Sequence, residues 1–309
     1  MSEALLLNAG ASWAAYQVGA IEQLVGERRM RFDAYVGCGI GAMHAALLAC
    51  GAYERIGPFW ESISTWKLVR PNLRKPWRAP VVDTPQRRFV AEHVSERALT
   101  ANRATLAVTT VDLMTGEEVV HRYPGDPLPI VDAVMAAVAT PGLLAPRRSG
   151  DRLLAEATLI ESVPVAAIPV DDPPERVVGV LAGIPLTDIP LTDDGSRRQY
   201  RTWRAVADRA LEVNLAHDSR RAIERTAEAS RWSADATAVA AELATIAGGD
   251  GELANGFQHA VAPLAEPAPP TFVWISPSRG LGYPLWRFPT ALLREARQLG
   301  HDDASRVNL

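Results

Sequence analysis

The stretch VGCGIGAMHAAL runs from Val36 to Leu47. It reads as a short strand that turns sharply into a helix of small residues. The spacing Gly37-Cys38-Gly39-Ile40-Gly41 has the outline of a G-x-S-x-G nucleophile elbow. In such an elbow a strained turn lifts a serine to the top of a sheet. The position that would hold the serine is Gly39. Glycine-rich turns before helices are common, so the neighbouring sequence has to decide what this one is.

Before the turn, EALLLNAG (Glu3 to Gly10) is an apolar run ending in small residues, a buried strand entering a turn. In SWAAYQVGAIEQLVGE the apolar residues Ala15, Val18, Ile21, Leu24 and Val25 fall at helical spacing. FDAYVG is a second strand and GAMHAALLACG a second helix. This β-turn-α-β-turn-α order predicts a parallel sheet with helices on its faces. Further on, ATLAVTTVDLMTGEEVVHRY reads as two strands joined at Thr115-Gly116, and PIVDAVMAAVA as a helix with Pro129 at its start. RLLAEATLIESVPVAAI reads as a strand, a polar turn and another apolar stretch, RVVGVLAG and TFVWISP as strands, and PTALLREARQLGHDDA as a closing helix. Residues 64–85, rich in Pro, Arg and Trp, form an irregular excursion. Residues 199–247, rich in Ala, Arg and Glu, form a helical insertion of two helices. GGDGELANG is a connection. The expected class is α/β, with 1–309 as one domain.

Composition narrows the function. Of 309 residues 48% are apolar, enough for a sizeable core. The net charge of −4 offers no basic face for nucleic acid. The cysteines Cys38 and Cys50 make neither a disulfide framework nor a metal set, and suggest a reducing compartment. His93, His121, His217, His259 and His301 are scattered without ligand spacing, so no metal and no cofactor is expected. No apolar run approaches the ~20 residues of a membrane span, and the start MSEALLLNAG has no basic region of a signal peptide. The expected location is cytoplasmic.

Three motifs carry a resemblance. AGASWAAYQVG ends in Ala15-Tyr16-Gln17-Val18-Gly19. GCGIGAMHAALLA is the elbow. DAVMAAVATPGLLAP is followed by AEATLIESVPV. Together they resemble the bacterial patatin-like phospholipases over nearly the whole chain. The resemblance implies a three-layer α/β/α fold with a mostly parallel central sheet. It also implies a lipid or acyl substrate, an oxyanion loop at Asn8, Ala9, Gly10, Ala11 and Trp13, and an acyl pocket reaching Gly39 and Ile40. The departures lie at the functional centre. Gly39 stands for the serine of GTSAGALNAALLA and His44 for its asparagine. Trp13 stands where the family has arginine, and only Gly10 remains of three loop glycines. Counting back from Pro164 puts Glu156 at the catalytic aspartate, with Ala157 and Thr158 in place of two glycines.

A Ser-Asp dyad needs a nucleophile, a carboxylate and oxyanion donors. Glycine supplies no nucleophile, and glutamate reaches about an ångström farther than aspartate. Alanines in the loop restrict the positive-φ geometry of a backbone nest. The expectation is therefore that serine acyl hydrolysis is absent. Three groups remain as candidates. Glu156 is a carboxylate for acid/base work, or a rim residue. His44 is a general base, or a core histidine hydrogen-bonded to the next loop. Cys38 is a thiolate nucleophile at a helix start, or a small buried side chain. Three readings stay open. One is a pocket for an apolar, acyl- or polyketide-like small molecule with non-hydrolytic acid/base chemistry such as isomerisation, cyclisation or dehydration. Another is a non-catalytic scaffold that regulates a protein partner through residues 199–247. Residual hydrolysis through Cys38 is the third.

Overall fold

The computed structural model describes residues 2–62, 70–74, 77, 79–183, 202–246, 256, 269–281, 285–286 and 288–309. The fold is α/β. Its parallel strands are β1 (Glu3–Leu7), β2 (Ala34–Cys38), β5 (Thr105–Asp112), β9 (Arg176–Val180) and β10 (Thr271–Ile275). Their order is β10-β9-β1-β2-β5. Three antiparallel strands complete the sheet. β6 (Glu118–Tyr123) and β8 (Arg152–Glu156) pair with β5, and β7 (Arg147–Ser149) pairs with β8. A separate two-stranded ribbon joins β3 (Arg70–Pro71) to β4 (Val81–Val82). It lies within the 64–85 excursion, whose residues 64–69, 75, 76 and 78 lie outside the described set.

The sheet is covered on both faces, which is why its strands are continuous apolar runs rather than alternating ones. Leu5 and Leu7 point into one core and Ala4 and Leu6 into the other. The larger core holds α1 (Ala15–Ile21), α2 (Ile40–Ala49), α3 (Ile56–Ser62), α4 (Thr84–His93), α5 (Glu96–Asn102) and α6 (Ile130–Ala137). On the opposite face Ala222 and Ile223 of α7 (Trp203–Ile246) pack beside Val163, Ala167 and Ile168. The closing helix α8 (Thr290–Arg306) crosses α1 on the first face. There Gly19 and Gly300 let the backbones touch. A Cβ on Gly19 would overlap the Arg297 carbonyl, and one on Gly300 the Tyr16 carbonyl.

The 199–247 stretch corrects the expectation of two helices. α7 is one helix of 44 residues. Neither Gly nor Pro occurs between Trp203 and Ile246, so nothing in the backbone breaks it. The expected connection GGDGELANG lies outside the described residues except for Gly256.

The pairings also place the site. Residues 106–109 of β5 bond β2 on one edge and β6 on the other. Residues 110 and 111 bond β6 and β8. β8 therefore lies on β2's side of β5 and continues its line. Cys38 pairs with Thr109 and Glu156 with the next residue, Thr110. The end of β8 meets the end of β2 at the turn to α2.

Candidate functional site

Gly39 forms that turn with φ 56° and ψ −134°. This is the sparsely populated backbone region expected of a strained strand-to-helix elbow, and glycine adopts it most easily. The space above it is taken. A Cβ on Gly39 would lie 2.5 Å from Glu156 Oε1 and 2.8 Å from the Ala9 Cβ. The Glu156 carboxylate is fixed by two hydroxyls. Thr140 donates to Oε2 at 2.5 Å and Thr158 to Oε1 at 2.8 Å. Glu156 is 8% exposed, and burial raises its pKa against the lowering effect of the two threonine bonds.

Three backbone N–H groups of the loop before the elbow are already bonded. The Ala9 N–H donates to the Ser162 carbonyl at 3.0 Å, and Ser12 N–H to the Leu285 carbonyl at 3.1 Å. Trp13 N–H bonds back to the Gly10 carbonyl at 2.8 Å. The positive-φ position in this loop is held by an alanine, Ala11, at φ 40°. The expectation that alanine restricts such geometry is met by a residue that adopts it at a conformational cost. Trp13 is buried at the start of the following turn and Ile40 is half-buried at the first residue of α2.

His44 sits in a fully buried chain of neutral groups. Trp60 Nε1–H donates to its Nε2 at 2.7 Å. Nδ1 must then carry the hydrogen and donates to Gln17 Oε1 at 3.0 Å. The Gln17 amide donates in turn to the Asn8 carbonyl and side-chain oxygen. Asn8 then exchanges bonds with Ala182, accepting from its N–H at 2.7 Å. Both ring nitrogens are engaged, and burial pushes the His44 pKa down to about 3.

The Cys38 thiol is buried and donates to the Glu161 carbonyl at 3.5 Å. Burial and the nearby Glu156 carboxylate push its pKa up, away from a thiolate. Beside it a cleft of about 300 Å³ is lined by Glu118, Ile160, Glu161, Asp218, Arg221, Ala222 and Arg225. That lining is ionic.

A strained glycine elbow, a glycine-containing loop beside it and a carboxylate delivered by the strand after a Pro-Gly turn make up one arrangement. A family model for patatin-like phospholipase matches residues 5–168, just over half of the chain and all of this site except the Ala182 and Leu285 contacts and α7. The chain belongs to the patatin-like phospholipase family. Solved structures give weaker likenesses. VipD from Legionella pneumophila is 11% identical, with 99% of this chain and 66% of that one covered at a TM-score of 0.46. The ExoU component of the ExoU-SpcU complex from the type III secretion system of Pseudomonas aeruginosa is likewise distant. That comparison gives 15% identity, 87% and 67% coverage and a TM-score of 0.33. The patatin-like chain spans about two thirds of the length of VipD.

In this patatin-like chain the structure brings Glu156, Gly39, Ala9 and Cys38 together and leaves His44 in a separate network. Four residues escaped the sequence reading. Thr140 was visible only as part of a turn before Pro141, and Thr158 only as a replacement for a family glycine. Gln17 and Trp60, the partners of His44, carried no signal beyond Gln17's place in AYQVG. Among the described residues no group of three or more His, Cys, Asp or Glu is placed to hold a metal. No helix among them is long and apolar enough to cross a membrane.

Proposed function

We propose that this patatin-like chain carries out no serine acyl hydrolysis and acts by binding a protein partner. The observation behind this is the Glu156 oxygen 2.5 Å from where a Gly39 side chain would begin. The carboxylate occupies the nucleophile's place instead of facing it. The other candidates support the reading. Cys38 is sealed under Glu161, and His44 has no nitrogen to spare. Residues 1–309 then form one domain in which the elbow is a structural junction and α7 an added surface.

The experiment is p-nitrophenyl ester release by the wild type, Gly39→Ser and the double variant Gly39→Ser/Glu156→Asp, with and without iodoacetamide. The wild type and Gly39→Ser should match buffer. Gly39→Ser should also be less stable, by about 1–3 kcal/mol for overpacking at the occupied site. Shortening Glu156 withdraws the carboxylate by about an ångström, and the double variant should regain part of that loss. Ester turnover by the wild type would end the proposal, and thiol-sensitive turnover would assign it to Cys38.

A second reading keeps one observation in its favour. Glu156 is a buried carboxyl with a raised pKa, suited to proton transfer on an acyl-type ligand. Turnover of any such ligand that survives Glu156→Gln would exclude that role.

A further inference from the structure

α7 has two halves. The first is tied to the body. Leu215, Ala216, Ser219, Ala222 and Thr226 are buried. Asn214 donates to the Thr158 carbonyl, Asp218 accepts from Ser162 N–H, and Trp274 donates to Thr226. From Ala227 to Ile246 the described hydrogen bonds stay within the helix. That half is about 30 Å long at 1.5 Å per residue. Its sequence is not that of a solvated helix. Trp232, Ala236, Val239, Leu243 and Ile246 recur at spacings of four, three, four and three. Trp232 is 76% exposed, Val239 49% and Ile246 70%.

This row does not continue the sheet-packing face. The spacing of Leu215, Ser219, Ala222 and Thr226 carries on to Ser230, Ser233 and Thr237, which are polar. The apolar row is turned from it by about a third of a helical turn. Alternating spacings of three and four are the a/d seam of a coiled coil, which only another helix fills. The flanks say which helix. With Trp232, Val239 and Ile246 at d, the g positions are Glu228, Asp235 and Glu242, all exposed acids, and the other flank carries Thr226 and Ser233. A second copy fits poorly. Antiparallel pairing sets acid against acid, and parallel pairing sets acid against Ser and Thr. An anionic lipid surface is repelled by the same row.

We propose that residues 227–246 dock an amphipathic helix of a partner protein, one with an apolar heptad seam and a row of Lys or Arg facing Glu228, Asp235 and Glu242. This rests on the binding-protein reading for its purpose, but the surface is independent of whether the elbow turns over esters.

The test uses the full chain and two synthetic helices of three heptads with Leu at a and d. One carries Lys at e and g, the other Glu. Fluorescence anisotropy should show the Lys peptide binding at least tenfold tighter than the Glu peptide. Trp232→Glu should weaken it at least tenfold with an unchanged far-UV circular dichroism spectrum. Val206→Glu, on the exposed side of the anchored half, should leave binding unaltered. Equal binding of both peptides, or binding indifferent to Trp232→Glu, overturns the proposal. A dimer of the chain alone that Trp232→Glu converts to monomer, seen by light scattering, also overturns it in favour of a second copy. Ester release measured on the same samples reports separately. Turnover would remove the non-hydrolytic reading and leave the peptide result standing.

Discussion

At the residue scale, Glu156, whose carboxylate lies against the elbow, and His44, five residues after Gly39, are two buried titratable groups that bend stability in opposite directions with pH. Burial holds the Glu156 carboxyl above its ordinary 4.5, so the folded chain keeps that proton to higher pH than the unfolded chain does. Its contribution is present below about 4.5 and is lost as pH rises through the folded value. His44 is the reverse. Its pKa falls from 6.5 to about 3, so the unfolded chain takes up a proton that the folded chain refuses. Its contribution is complete above about 6.5 and is lost as pH falls toward 3. Urea midpoints measured between about pH 4 and 8 should show the alkaline fall reduced in Glu156→Gln and the acid fall reduced in His44→Asn. A substitution that left its own limb of the curve unchanged would show that the group is hydrated in solution.

The residue scale is also where the sequence was least informative. Counting back from Pro164 reached Glu156 only through the resemblance to the patatin-like phospholipases. The direction of its side chain could not be reached that way, because it depends on Thr158 two residues on and on Thr140 from the turn after α6. His44 looked the same as a base or as a core residue until Trp60 supplied the donor to its second nitrogen.

At the scale of elements, the sharpest constraint is the crossing of α1 and α8. Gly19 and Gly300 each face the other helix's backbone rather than a flexible side chain. The Tyr16 hydroxyl donates to Asp303 at 3.2 Å, and Asp303 also accepts from the Ser278 N–H at 2.9 Å. The helices cannot part by a few tenths of an ångström without stretching these bonds. Gly19→Ala should therefore destabilise by about 1–3 kcal/mol, although alanine is the better helix former by ~1 kcal/mol. Urea denaturation checks it, and a stabilised variant would mean that the helices separate freely. Most strands of the main sheet and the helices α1, α2, α6 and α8 were legible because apolar runs bounded by Gly and Pro signal them locally, whereas α3, α4 and α5 drew no reading from the sequence. β7 and the ribbon of β3 and β4 were not legible, since strands of two or three residues are too short to carry a period.

For the whole molecule, the sheet and α7 divide stability unevenly. Backbone amides of β1, β2, β5 and β9 are paired within a sheet covered on both faces. Among the described residues, 227–246 make hydrogen bonds within their own helix, and most helical stability in proteins comes from tertiary packing, of which this half has little. Hydrogen exchange should be slowest at Leu5–Leu7, Tyr35–Gly37 and Val177–Val180. It should be at least a hundredfold faster at 227–246 than at 215–226, and equal protection along α7 would contradict this division. The split was partly visible in the sequence. The absence of Gly and Pro allowed one helix, but where its anchored half ends depends on Trp274 reaching Thr226 from a strand some fifty residues away.

The junction of β8 with the line of β2 makes the side chain that meets Gly39 depend on the register of one strand. Three ladder pairs to β5, Thr110 with Glu156, Val111 with Ala155 and Asp112 with Leu154, and a bond from the Glu156 N–H to the Ala139 carbonyl set the position of Glu156. Neighbouring side chains on a strand face opposite ways. A single inserted or deleted residue between Thr140 and Arg152 that slipped this ladder would put an alanine, either Ala155 or Ala157, beside Gly39 and leave the elbow with no ionisable group. The length of one hairpin thus acts as a selector, choosing which side chain the elbow meets without any change to the elbow itself.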